Sequence, residues 1–183
     1  SIYRALRDRQ PSLIGTKTIE QFYDPVKGMF LADRYIKGTC PKCGYDDATG
    51  DECENCGAQY AAHDLIKPRV NIPNDASTPV LRDSKHWFLR LQDFSARLKE
   101  WLDGHEEWRA NVKGIANGWV SELRARCITR DTDWGVPIPL DDAEVEGKRI
   151  YVWFDAPIGY VTNTRQWGID AKGDAKAWEL WWK

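Results

Sequence analysis

Four cysteines in two C-x₂-C pairs constrain this chain more than any other feature of its sequence. Cys40 and Cys43 form the first pair, and Cys53 and Cys56 form the second pair after nine intervening residues. Two thiol pairs at this spacing suit one tetrahedral Zn²⁺, because each tight turn directs both of its sulfurs toward a common point. A glycine follows each pair, where the missing Cβ lets the turn close. The pattern predicts a structural zinc site that has four thiolate ligands and no open catalytic position.

Disulfide bonds and redox chemistry are the two other uses that these cysteines could have. A fifth, unpaired cysteine (Cys127) and an even charge balance favour a reducing compartment, where disulfides are rare. Two redox pairs rarely stand nine residues apart. We expect Cys127 to be a small buried residue, because no general base lies near it in the sequence. We expect His63 to be a surface residue, because four thiolates already complete the zinc shell.

Composition places further limits on the class of protein. The 183 residues include 26 basic and 28 acidic side chains, and the net charge of −2 gives no overall field that would attract nucleic acid or membrane. No apolar run reaches the roughly 18 residues that span a bilayer. We expect most of the ten tryptophans to lie in a core or in pocket walls. The helical pattern already under way at Ser1 and the single methionine, Met29, predict part of a larger protein.

Hydrophobic periodicity predicts a mixed α/β chain. The predicted helices and strands are separated by turn residues, and the metal loop has an acidic, solvated tip made of Asp46, Asp47, Asp51, Glu52 and Glu54. The predicted elements are a helix over 1–10, strands over 17–23 and 29–31, the metal loop over 37–60, a strand over 85–91, a helix from an Asp93 cap to Leu102, a helix over 108–123, and a strand over 149–154 followed by a turn with Asp155 as the cap of a further helix.

The chain also resembles a known family, the class I methionyl-tRNA synthetases. Trp134 and the segment Tyr151–Tyr160, which reads YVWFDAPIGY, look like the methionine-pocket segment of that family. The stretch from Gln21 to Cys43 is similar to the family's entry into its zinc knuckle, and the segments RDSKHWF at 82–88 and ITRD at 128–131 resemble other family stretches. Together these segments extend over nearly the whole chain.

The resemblance implies a particular architecture. It implies an α/β fold in which a zinc-ribbon connective peptide, with short antiparallel strands and two amphipathic helices, is inserted into a partial Rossmann-type class I catalytic domain. Residues 1–13 would end the first half of the nucleotide-binding fold, and residues 14–125 would form the connective peptide with its zinc knuckle at 37–60. Residues 126–183 would return to the catalytic domain, and we expect them to be less well packed than the insertion.

The resemblance also implies an activity, that of a cytoplasmic methionine–tRNA ligase. Such an enzyme uses ATP and Mg²⁺ to activate methionine and then transfers it to the 3′ end of initiator or elongator tRNA(Met). The residues that match the family's methionine site are Trp153, Ala156, Pro157 and Tyr160. Arg130 matches an arginine on the ATP-phosphate side, although an ion pair with Asp131 or Asp133 is the alternative for it.

Two family motifs are missing from this sequence. Neither a His-x-Gly-His motif nor a Lys-Met-Ser-Lys-Ser loop occurs, and the three histidines are isolated from one another. We therefore assign no catalytic residue and expect the chain to be inactive by itself. Two alternatives remain open: a stand-alone zinc-ribbon module that binds nucleic acid or protein, and a paralogue that keeps a thioether pocket without acting on tRNA.

Overall fold

The computed structural model describes residues 2–140 and 145–182, which form a mixed α/β fold. The helices are α1 (Ile2–Arg7), α2 (Ser95–Gly104), α3 (Ala110–Ser121), α4 (Val152–Lys172) and α5 (Glu179–Trp182). The strands are β1 (Ile14–Asp24), β2 (Met29–Phe30), β3 (Ile36–Thr39), β4 (Ala48–Thr49), β5 (Ile66–Val70), β6 (Val80–Leu89), β7 (Arg126–Cys127), β8 (Thr129–Asp131) and β9 (Lys148–Ile150). None of the helices in the described residues is both long and apolar enough to cross a lipid bilayer.

The strands form three small sheets with the orders β2-β1-β6-β7, β4-β3-β5 and β8-β9. The pairs β1–β2, β3–β4, β3–β5, β6–β7 and β8–β9 are antiparallel, as expected for the short strands of the insertion. The chain divides into two compact units, one made of Thr16–His86 and one made of Ser1–Gly15 with Trp87–Lys183. The predicted division at 13/14 and 125/126 refers to the parent catalytic domain and stays a prediction.

The unit of residues 16–86 has its own apolar core around β3. The buried members of this core come from three strands, the metal loop and two connecting segments, and they are Phe22, Leu31, Ile36, Cys40, Ala48, Cys53 and Leu65. Gly38 lies at the closest approach of β3 to the chain entering β5. A Cβ placed on Gly38 would be 2.9 Å from the carbonyl oxygen of Ile66. The backbone is therefore closely packed two residues before the first metal-binding cysteine, Cys40.

The other unit has a second core, which joins α1, β6 and the start of α4. Its buried members are Tyr3, Ile14, Trp87, Ile128 and Ile138. Trp87 lies in the second half of β6, where the alternating sequence predicts a strand. Helix α3 also agrees with the predicted helix over 108–123.

The predicted strand over 149–154 is wrong after Ile150. The structure ends β9 at Ile150 and begins α4 at Val152 with Tyr151 in an extended conformation before it. The periodicity of a short run of aromatic and β-branched residues does not by itself distinguish a strand from the start of a helix. Asp155 is also not the cap, because it lies within the first turn of α4. Its negative charge still interacts favourably with the positive end of the helix dipole.

The predicted cap at Asp93 is wrong for a similar reason. A 3₁₀ turn over Leu91–Phe94 precedes α2, so the helix begins at Ser95, one residue later than a cap at Asp93 requires. The Asp93 carboxylate forms an ion pair with Arg90, with 2.9 Å between Oδ2 and Nε. Helix α2 ends at Gly104, two residues beyond the predicted end at Leu102.

The expected burial of the tryptophans is largely wrong. Trp87 is in a core, but seven of the ten indoles are exposed, namely Trp101, Trp119, Trp134, Trp153, Trp167, Trp181 and Trp182. Five of these seven follow residue 126, where the described residues supply no further layer to cover them. Their exposure favours the expected looser packing of this part of the chain.

Two glycine substitutions test the close packing around β3. We expect Gly38→Ala to lower the free energy of unfolding by about 1–3 kcal/mol, because its Cβ would press on the fixed carbonyl of Ile66. Gly15→Ala in β1 is the matched control, since its Cβ would meet no atom within 4 Å and the substitution reduces only unfolded-state entropy. Denaturant titration of the metal-loaded chain measures both, and equal stability of the two variants would contradict this packing.

Candidate functional site

The four knuckle cysteines come together in space as a single cluster. Their sulfurs all lie within 4.8 Å of one another. The distance between the Cys40 and Cys56 sulfurs is 3.9 Å, and that between the Cys43 and Cys53 sulfurs is 3.6 Å. Four thiolates about 2.3 Å from a tetrahedral Zn²⁺ would lie roughly 3.8 Å apart. The arrangement therefore fits one tetrahedral metal ion coordinated by all four cysteines.

Each C-x₂-C pair is held by the same backbone turn. The N–H of Gly44 donates to the carbonyl of Cys40 at 3.1 Å, and the N–H of Gly57 donates to the carbonyl of Cys53 at 2.8 Å. Both glycines have positive φ, 78° and 68°, a conformation that side chains with a Cβ rarely adopt. The glycine that follows each pair in the sequence is thus the residue that closes the turn.

The cluster has a buried half and an exposed half. Cys40 and Cys53 are buried in the core of this unit, whereas Cys43 and Cys56 face solvent. Because the buried sulfurs belong to the apolar core, binding of a metal ion would connect the exposed turns directly to that core.

Hydrogen bonds distribute the protons of the metal-free cluster unequally. The backbone of Tyr45 and the side-chain amide of Asn55 stabilise the Cys43 thiolate and lower its pKa to about 6. The backbone of Ala58 lowers the pKa of Cys56, but hydrogen bonds with the neighbouring thiols outweigh it and raise that pKa to about 12. The Cys43 thiol therefore ionises readily near neutral pH, whereas the Cys56 thiol would need a bound cation to lose its proton.

The surroundings of the cluster agree with the sequence analysis on two points. His63 is exposed, with Nε2 3.9 Å from Asp64 Oδ1, and it is not part of the metal-binding group found among the described residues. The acidic tip is mostly exposed, although Asp47 is half-buried and forms ion pairs with Lys37 and Arg69 at 2.5 Å each. These ion pairs connect the tip to β3 and β5.

Helix α4 brings the four predicted methionine-site residues together on one surface. Trp153, Ala156, Pro157 and Tyr160 stand at relative positions 0, 3, 4 and 7, the spacing of residues on one face of an α-helix. Trp153 and Tyr160 are each 68% exposed, and Ala156 is half-buried. The shared face is observed, whereas the binding of methionine by these residues stays a prediction.

A groove of about 550 Å³ runs along a different side of α4. Its walls are mostly apolar and include Tyr3, Ile150, Phe154, Ala156 and Ile158. Ala156 alone among the four predicted methionine-site residues lines the groove. Tyr3 is buried, and its hydroxyl has no hydrogen-bond partner among the residues that the structure describes.

Arg130 lies in β8, and an aromatic ring and a backbone carbonyl of the described residues hold it in place. Its guanidinium carbon is 3.9 Å from the centre of the Tyr151 ring, and Nη1 donates to the carbonyl of Thr129 at 2.8 Å. Asp131, one of the two alternative partners for Arg130, forms an ion pair with Lys148. The contact of Arg130 with ATP stays a prediction.

Comparison with known proteins identifies the family. The family model for class I (M) tRNA synthetases matches residues 1–183. A methionine–tRNA ligase of Porphyromonas gingivalis is 52% identical over 169 residues, which is 91% of this chain. The chain belongs to the class I (M) tRNA synthetase family. A second ligase with the same name, from Parabacteroides distasonis, is 46% identical over 99% of the chain.

The chain spans about a quarter of the length of these class I (M) relatives. The matched part is 23% of the Porphyromonas protein and 25% of the Parabacteroides protein. The crystal structure of the apo form of Mycobacterium tuberculosis methionyl-tRNA synthetase aligns with 92% of this chain and 28% of its own chain, at 16% identity and a TM-score of 0.48. That level of structural similarity carries no conclusion about the site.

Two features of this synthetase segment were missed by sequence reasoning. One is the buried ion pair between Lys148 and Asp131. The other is Arg149, which lies directly opposite Arg130 in the β8–β9 pair. Charged residues do stand at these positions in the sequence, but the register between two three-residue strands is set by packing and is not visible in the sequence.

Substitution of Tyr3 tests the burial of its hydroxyl. Burial raises the pKa of Tyr3 to about 12, so the folded state loses stability as pH rises from about 10 to about 12. We expect Tyr3→Phe to stabilise the chain by about 1–3 kcal/mol at neutral pH, because the unpartnered hydroxyl is removed. The advantage of the variant should grow by about 2–3 kcal/mol between pH 10 and 12.

Urea titrations of both proteins at pH 7, 10 and 12 measure this difference. Other tyrosines and lysines titrate over the same range in both proteins, so only the difference between them reports on Tyr3. A constant difference across the three pH values would contradict the burial of the hydroxyl.

Proposed function

We propose that the chain is part of a methionine–tRNA ligase and supplies its zinc-bearing insertion together with part of its methionine and ATP sites. One chain carries both the Cys₄ cluster and the α4 surface, which is the helix face formed by Trp153, Ala156, Pro157 and Tyr160. The same chain is 52% identical over 169 residues to a protein named methionine–tRNA ligase, and this combination is the observation that carries the proposal. The enzyme would act in the cytoplasm. It would use ATP with Mg²⁺ to convert methionine to an adenylate and then transfer the methionyl group to tRNA(Met).

The metal of the Cys₄ cluster is zinc in this proposal, and its role is structural. Four thiolates leave no open coordination position for water or substrate, so the ion takes no part in the reaction. Cys40 and Cys53 belong to the core of residues 16–86. The ion therefore stabilises a unit whose apolar core has only seven buried members.

The methionine side chain would lie against the exposed face of α4. Trp153 and Tyr160 present two large aromatic surfaces on that face, and Pro157 lies between them. A thioether is polarizable and packs favourably against aromatic rings. The Tyr160 hydroxyl could also donate a weak hydrogen bond to sulfur, which would help to distinguish methionine from an alkane of the same shape.

Arg130 would stabilise the negative charge that develops on the ATP phosphates. The Tyr151 ring and the Thr129 carbonyl hold its guanidinium before any ligand binds, so little reorganisation is needed. Adenylate formation requires positioning and charge stabilisation more than side-chain proton transfer. The residues of this chain would thus orient substrates, and groups elsewhere in the enzyme would complete the site.

Metal analysis tests the zinc site. We expect the purified chain to contain one zinc ion, Cys43→Ala to contain essentially none, and Cys127→Ser to keep it as the matched control. Cys43 is exposed, so its truncation leaves no cavity in the core. Elemental analysis gives the zinc content, and circular dichroism with and without a chelator gives the dependence of the fold on it. A folded wild-type chain without metal would contradict the site.

Kinetics of the intact enzyme that contains this chain test the methionine surface. We expect Trp153→Ala to raise KM for methionine about 10- to 100-fold while KM for ATP changes little, because an aromatic contact worth about 1.5–3 kcal/mol is lost. Trp167→Ala is the control, since Trp167 is exposed on the same helix but lies about 21 Å further along it. Methionine-dependent ATP–pyrophosphate exchange is the measurement.

The isolated chain serves as the blank in the exchange assay, and we expect it to show no exchange. Exchange by the isolated chain would refute the expected inactivity. A KM for methionine within twofold of wild type in Trp153→Ala would refute the role of the α4 surface. Salt-sensitive binding of the isolated chain to RNA, without either kinetic effect, would favour a nucleic-acid-binding module instead.

A further inference from the structure

The two-stranded ribbon β8–β9 has a buried face on which opposite residues complement each other. Directly opposite residues in an antiparallel pair project to the same side. Thr129 lies opposite Ile150, and Asp131 lies opposite Lys148, with which it forms an ion pair. Thr129 and Lys148 are buried. Charge on this face is therefore neutralised within the ribbon.

The other face of the ribbon places two arginines opposite each other. Arg130 and Arg149 are direct partners in the register, between the two pairs of the buried face. Both are half-buried. Like charges directly opposite each other destabilise an antiparallel pair, and partial burial reduces the screening by water. The fold thus places two positively charged side chains at directly opposite positions of the ribbon.

Both guanidinium groups are fixed by neutral groups. Arg149 donates from Nη1 to the Lys148 carbonyl at 3.0 Å and from Nη2 to the Asp133 carbonyl at 3.2 Å. A Cβ on Gly135 would lie 3.3 Å from Arg149 Cβ, so a glycine makes room for the stem of the arginine. Arg130 is held by the Tyr151 ring and a carbonyl, as described above. The described residues provide no carboxylate within ion-pair distance of either guanidinium.

This arrangement is suited to a phosphate-bearing anion. Each guanidinium has five N–H donors in one plane, and the carbonyls engage only some of them. A polyphosphate carries several negative charges and can accept hydrogen bonds from both groups, which would relieve their repulsion. The 21-residue helix α4 begins directly after Tyr151 without a side-chain cap, so its N-terminus adds positive potential nearby. Asp155 is the one acidic residue in its first turn.

We propose that Arg149 acts together with Arg130 as a two-arginine site for the phosphate groups of a nucleoside triphosphate or of pyrophosphate. This inference deepens the proposed function, because it adds a second phosphate-binding residue to the ATP side of the site. A compact polyphosphate matches two half-buried guanidiniums on a six-residue ribbon. An RNA backbone would call for basic residues spread over a longer surface, and the chain has a net charge of −2.

Titration of the 183-residue chain with pyrophosphate tests the two-arginine site. We expect saturable binding with a Kd of about 1 mM or tighter in low salt. Arg149→Gln and Arg130→Gln should each raise that Kd about tenfold, because one charged hydrogen-bonding group is lost. Arg149→Lys should recover only part of the affinity, since an ammonium lacks the planar donor pair. Isothermal titration calorimetry gives Kd, and thermal melts establish that each variant is folded.

Arg165→Gln is the matched control for the loss of one positive charge, because Arg165 is exposed on α4. We expect its Kd to stay within twofold of wild type. Absence of saturable binding to wild type, an unchanged Kd in Arg149→Gln, or an equal loss in Arg165→Gln would each overturn the proposal. So would tighter binding of a single-stranded RNA oligonucleotide that depends on Arg149 in place of pyrophosphate.

The same variant in the intact enzyme separates this proposal from the proposed function. We expect Arg149→Gln to raise KM for ATP and to leave KM for methionine within twofold. Absence of methionine-dependent ATP–pyrophosphate exchange in the unmodified enzyme would contradict the ligase function. The binding of pyrophosphate by the chain would be unaffected by that result. Normal exchange together with an unchanged KM for ATP in Arg149→Gln would overturn the role of Arg149 alone.

Discussion

The convergence of four thiols is the interaction on which the unit of residues 16–86 depends. Two of the sulfurs belong to its apolar core, and the other two are carried by exposed turns that contribute few apolar contacts. A metal ion that bonds to all four would connect these turns to the core in one step. The backbone is also closely packed at Gly38, two residues before Cys40, where an added Cβ would lie 2.9 Å from the carbonyl oxygen of Ile66.

The other unit combines a small core with a large exposed apolar surface. Trp87 and Tyr3 are buried, but Trp153 and Tyr160 on α4 are mostly exposed. Exposed indoles on one helix face are common at surfaces that receive a ligand or another layer of structure. The same surface carries the residues that resemble a methionine site. The aromatic side chains whose exposure to water is unfavourable are therefore the ones to which we assign methionine binding.

Electrostatics divide the β8–β9 ribbon into two faces with opposite character. The buried face carries the Asp131–Lys148 pair, whereas Arg130 and Arg149 on the other face have no acidic partner among the described residues.

Much of the candidate site could be predicted from the sequence, because C-x₂-C spacing and the segment around Trp153 are local patterns. Arg149 could not be predicted, because its relevance depends on the strand register.

The sequence by itself determined the local chemistry of this protein: the cysteine spacing, the glycines that close each knuckle turn, and the segment that identifies its family. These features act over a few residues, where spacing alone decides which atoms can meet. The tertiary structure alone decided where α4 begins, which tryptophans are exposed and which charges face each other across β8–β9. Each of these depends on packing between residues far apart in the chain, and a short apolar or charged run is compatible with more than one such arrangement.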